Sequence, residues 1–62
     1  MDTTSFNAGV VCACDVVAVY GEGTILKEII DACGGKEIYR EIMLNGLEKT
    51  RKLAKFEFRH KG

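Results

Sequence analysis

Two glycine-bearing breaks, Gly21-Glu22-Gly23 and Gly34-Gly35, bracket the stretch from Thr24 to Cys33, and the rest of the chain must fit around what lies between them. Ile25, Leu26, Ile29, Ile30 and Cys33 recur there at the i, i+1, i+4, i+5, i+8 spacing that lines one face of a helix. Lys27, Glu28 and Asp31 fall on the other face. Thr24 is placed to accept a hydrogen bond from an orphan N–H of the first turn, and Gly34 or Gly35 can take the left-handed conformation that ends a helix. A helix of about ten residues does not persist alone in water. The spacing therefore predicts a helix over 24–33 that docks on its neighbours.

What it docks on is limited, because the chain has 62 residues and forms one small domain. A domain of this size buries only about 60% of the surface that its unfolded chain exposes. Such domains commonly add disulfides, a metal or a second subunit. Three cysteines cannot all pair within one chain. Met1-Asp2-Thr3-Thr4-Ser5 lacks the basic lead of a secretory signal. The most apolar run, Ala8 to Tyr20, is interrupted by Asp15 and is shorter than the roughly 20 residues of a membrane span. These features predict a cytoplasmic protein with reduced thiols and no membrane association. An apolar content of 47% with no proline argues against disorder. Self-association is left as the staple, so a homodimer that completes its core between subunits is expected.

The first segment, Phe6 to Tyr20, reads either as strand or as helix. Its five valines favour strand, but neither parity is polar apart from Asp15. On a helical wheel Asn7, Asp15 and Glu22 line up as a narrow polar stripe, and Phe6, Val10, Ala13, Val17 and Tyr20 lie on the apolar remainder. A helix over 5–20, with Thr4 or Ser5 as its cap, is the preferred reading. So apolar a helix needs neighbours on more than one side, and Phe6, Val10, Val17 and Tyr20 are the expected self-association residues.

After Gly35 the apolar positions Ile38, Tyr39, Ile42 and Met43 repeat the helical spacing. Asn45-Gly46 has the composition of a break. Continuing the wheel through it keeps Leu47, Thr50, Leu53, Ala54 and Phe56 broadly on the apolar side, and Glu48 and Lys52 form a helix-supporting pair. One helix over 36–57 is therefore preferred to two helices hinged at Asn45-Gly46. Phe58 to Gly62 would follow as a fraying basic tail. The expected fold is all-α, a single domain over 1–62 with three helices at roughly 5–20, 24–33 and 36–57.

Residue chemistry excludes more than it assigns. Cys12, Cys14, Cys33 and His60 are metal-binding types, but Cys12 and Cys14 project about 200° apart on a helix and do not show the usual C-x₂₋₄-C spacing. Nucleophilic catalysis needs a thiol or hydroxyl beside a positioned base, and the one histidine is His60, third from the end. Glu37 and Glu41 beside Arg40 have the look of a solvated face. Gly21-Glu22-Gly23 is a turn without the phosphate-cradling GxxxxGK[ST] pattern. No enzyme, metal or cofactor is expected.

Charge is divided along the chain. Residues 1–35 carry five carboxylates against Lys27 alone, a net −4, and residues 36–62 carry eight Lys/Arg against four Glu, a net +4. The two halves attract each other, within or between subunits, or the basic half meets an acidic partner. A helix-turn-helix reading fails. The position six residues after the turn glycine, where an apolar anchor belongs, is Arg40 or Glu41, and the segment after the turn carries as many carboxylates as cations. The expected function is a non-enzymatic protein–protein interaction module, a regulator, adaptor or inhibitor of a larger host or cellular protein, of the accessory type that phages and mobile elements encode. Lys49, Arg51, Lys52, Lys55 and Arg59 are the expected partner-binding residues, ahead of the acidic face with Glu28 and Asp31. The alternative is a small nucleic-acid-binding regulator that uses the same basic helix.

Overall fold

The computed structural model describes residues 3–59, and these form four helices: α1 (Thr3–Val19), α2 (Gly23–Cys33), α3 (Lys36–Asn45) and α4 (Glu48–Arg59). Every helix touches the other three, in a body of 33 × 22 × 18 Å. The core is contributed by all of them: Val10, Val11 and Cys14 from α1, Leu26 and Ile30 from α2, Ile38 and Ile42 from α3, and Ala54 from α4. The all-α expectation holds, including helix rather than strand for the first segment. The expected count of three helices does not.

In α1 the buried residues Asn7, Val11, Cys14 and Ala18 recur at helical spacing, with Val10 beside them. The polar stripe of the sequence reading thus points inward at two of its three members. Asn7 is only 8% exposed and Asp15 is half-buried, whereas Glu22 lies beyond the end of the helix. The side of α1 left to solvent is largely apolar.

The α2 helix starts one residue before the expected Thr24 cap. Glu22 occupies the cap position, and its side chain makes no capping hydrogen bond. The Glu57 carboxylate of α4 rests against Gly23 at this end of α2, where negative charge suits the helix dipole. The C-terminal stop is as expected. Gly34 and Gly35 both have positive φ, and both of their amides donate to the Ile30 carbonyl. Leu26 and Ile30 are fully buried, while Ile25 turns outward and is 46% exposed.

A single helix over 36–57 is overturned: the chain breaks at Gly46-Leu47, between α3 and α4. The core explains the break. The buried residues Ile38, Ile42, Thr50 and Ala54 are spaced by multiples of four. In one straight helix, at about 100° per residue, Ile38 and Ala54 would face about 160° apart. Breaking the helix resets the phase, so that both halves bury their apolar side against α1 and α2. Gly46 is extended (φ −74°, ψ 161°), and a Cβ there would meet the Ile42 carbonyl oxygen at 2.7 Å. The expected fraying from Phe58 is also corrected, since α4 runs on to Arg59 and Phe58 packs against the core. Its ring meets Tyr39 edge-on at 5.4 Å, and the Lys27 ammonium lies 5.4 Å from its centroid. The remainder of the expected tail, residues 60–62, lies outside the described residues.

Candidate partner-binding surface

The basic residues singled out in the sequence all lie on α4, but they do not act as one group. With Thr50 and Ala54 buried, helical spacing puts Lys49, Lys52, Lys55 and Arg59 on the outer side, and all four are exposed. Arg51 is half-buried on the flank and donates from Nη1 to the Gly46 carbonyl at 3.3 Å. It therefore satisfies the carbonyl that follows α3 and is engaged within the fold. Lys52 pairs with Glu48 at 3.3 Å, but both side chains are about three-quarters exposed, so the pair holds Lys52 only weakly.

Beside this cationic side, at the C-terminal end of α1, the surface opens into a notch of about 410 Å³. Val19, Tyr20, Leu53 and Phe56 form its apolar walls, and Lys49 and Lys52 stand at its edge. Tyr20 is 76% exposed and Phe56 54%. The sequence reading named Tyr20 for self-association and the two lysines for a partner, and the fold brings them together in one depression. Val19 and Phe56 were not singled out as contacts. The i, i+3, i+7 spacing of Lys49, Lys52 and Phe56 would have placed them together on one side of a helix.

The acidic alternative on α2 is less available. Glu28 and Asp31 are both exposed, but Asp31 is bonded to Lys27 at 3.0 Å, which leaves Glu28 as the carboxylate of the two outside that pair. The four self-association residues divide between inside and outside. Val10 is in the core and Val17 packs against it, while Phe6 (43% exposed) and Tyr20 face solvent.

The cysteines occupy three different environments: Cys12 is exposed, Cys33 half-buried and Cys14 fully buried. Burial, reinforced by the neighbouring Asp15 and Cys33, pushes the Cys14 thiol up to about 11. Such a thiol is a poor nucleophile at neutral pH. Among the described residues no three His, Cys, Asp or Glu side chains are grouped to hold a metal ion, and His60 lies outside those residues. No helix among them is long and apolar enough to cross a membrane. Compared with protein families, with curated proteins and with solved structures, the chain matches none.

Proposed function

We propose that this protein is a non-enzymatic interaction module that regulates, adapts or inhibits a larger protein by receiving an acidic amphipathic segment of that partner in the α1–α4 notch. The carrying observation is the combination of apolar walls with two lysines in one depression. Anchoring by apolar side chains in a pocket supplies binding energy, and clustered charge steers and orients the encounter. A helix with one apolar edge and carboxylates beside it meets both requirements. Lys55 and Arg59 stand apart from the notch, beside Tyr39 and Phe58, so Lys49 and Lys52 carry the charge of the site.

The experiment is affinity capture from nuclease-treated host lysate, comparing the native chain with Lys49→Glu/Lys52→Glu and with Phe56→Ala. All three positions are exposed, so the fold is retained, which circular dichroism checks. The expected result is one protein recovered near equal stoichiometry by the native chain and lost with both variants. Capture indifferent to these changes would overturn the reading. Recovery from untreated lysate that disappears in the nuclease-treated one would instead favour the basic side of α4 as a nucleic-acid contact, with a steep salt dependence.

A further inference from the structure

We propose that a second copy of this chain packs its α1 antiparallel across α1, about a two-fold axis midway between Gly9 and Ala13. This uses a different surface from the notch and does not depend on the reading above.

Phe6, Gly9, Ala13 and Val16 are spaced alternately by three and four residues, the repeat of a helix–helix seam. All four are exposed, with Phe6 at 43% and Val16 at 58%. Between this seam and α2 runs an almost wholly apolar groove of about 500 Å³, whose far wall is Ile29 and Cys33. Its occupant is indicated by three features of the chain.

The seam is complementary to itself when reversed. Larger apolar side chains stand at its ends and the two smallest at its middle, so a two-fold sets Phe6 against Val16 of the second copy and Gly9 against Ala13. A two-fold contact requires this self-complementarity, because each patch meets its own kind.

Gly9 also has no explanation within the subunit. A glycine inside a helix costs about 1 kcal/mol relative to alanine. A Cβ at Gly9 would meet nothing within 4 Å, so neither packing nor backbone conformation in this subunit calls for a glycine. Close approach by a backbone from outside does.

Charge points the same way. Between Thr3 and Val19 the one ionisable Asp, Glu, Lys or Arg is Asp15, and its carboxylate is bonded to Leu47 and Thr50 of the same subunit. The exposed residues of α2, α3 and α4 include charged groups that a like copy would repel. The outer side of α1 contains none. A single helix pair about 25 Å long lies at the small end of specific interfaces, so the dimer is expected to dissociate on dilution.

Two measurements test this. Sedimentation equilibrium of the native chain should show a concentration-dependent doubling of mass, and Ala13→Glu should stay monomeric with unchanged helical circular dichroism. In a Cys33→Ser background, copper–phenanthroline oxidation should cross-link the dimer through Cys12, which flanks the seam near the axis, and Cys12→Ser should abolish the cross-link. A monomer at every concentration, or a dimer that survives Ala13→Glu and is lost instead with Phe56→Ala, would overturn the proposal.

Discussion

The Asp15 carboxylate of α1 accepts two hydrogen bonds at the start of α4: Oδ1 receives the Leu47 amide at 3.1 Å and the Thr50 hydroxyl at 2.5 Å. A residue 32 positions away thus does for α4 what an N-cap side chain ordinarily does from within. It satisfies an orphan amide and sets negative charge at the positive end of the helix dipole. Thr50 is fully buried, so its hydroxyl depends on this partner.

Asp15→Ala is therefore expected to cost about 1–3 kcal/mol, the range for stranding a buried donor together with losing a cap. Thr50→Val, which replaces the hydroxyl by a methyl group, should cost less. The loss in Asp15→Ala/Thr50→Val should be smaller than the sum of the two single losses, because no hydroxyl is left stranded. Urea denaturation of the four proteins in a double-mutant cycle measures the coupling. Simple additivity would mean that the two side chains do not interact in solution.

The break before α4 makes Gly46 irreplaceable on steric grounds. Its added Cβ would lie 2.7 Å from the Ile42 carbonyl oxygen, which already accepts the Gly46 amide at 2.8 Å. Gly46→Ala should destabilise by more than about 1 kcal/mol despite the better helix propensity of alanine. If α3 and α4 were one continuous helix in solution, the same substitution would stabilise it, so the sign of the change in urea midpoint decides.

Much of this fold was legible from spacing. The α2 face and its double-glycine stop follow from residues 24–35, because Ile25 to Cys33 offer one apolar stripe and no competing period. Two features depend on contacts distant in sequence. On a wheel Asn7 and Asp15 form a narrow polar stripe, and only the position of Thr50 and the Leu47 amide shows why a carboxylate belongs inside. The composition of Asn45-Gly46 offers the helix break as the alternative, and it ranks second only because Leu47 and Phe56, which suggest a continuous apolar face, are in fact more than half exposed. At the candidate site, the lysines of α4 were visible in the sequence. The notch was not, since it needs Val19 and Tyr20 brought beside Leu53 and Phe56 by tertiary packing.

Phe58 joins three helices, touching Tyr39 of α3 and lying under Lys27 of α2 from its own place on α4. Phe58→Ala should cost about 2–4 kcal/mol, somewhat below the range for a fully buried phenylalanine, because the ring is half-buried. Phe58→Leu should recover most of the burial and lose the aromatic and cation contacts, together about 1 kcal/mol. Thermal denaturation followed at 222 nm would rank the three proteins. An alanine variant as stable as the native chain would mean that the end of α4 does not dock.

Cys14 makes the stability depend on alkaline pH. Its thiol is raised from about 9 to about 11 in the folded chain. Below pH 9 the thiol is protonated in both states and contributes no pH dependence. Between about pH 9 and 11 the unfolded chain releases the proton and the folded chain keeps it, so the unfolded state is favoured and stability falls with rising pH. A shift of two units corresponds to at most about 3 kcal/mol. Cys14→Ala removes this group, so the stability difference between native chain and variant should shrink as pH rises from 9 to 11. Urea titrations at pH 8, 9.5 and 11 would read it, and a constant difference would place Cys14 in contact with water. The same burial predicts that Ellman's reagent at pH 8 modifies Cys12 quickly, Cys33 more slowly and Cys14 only as the chain unfolds.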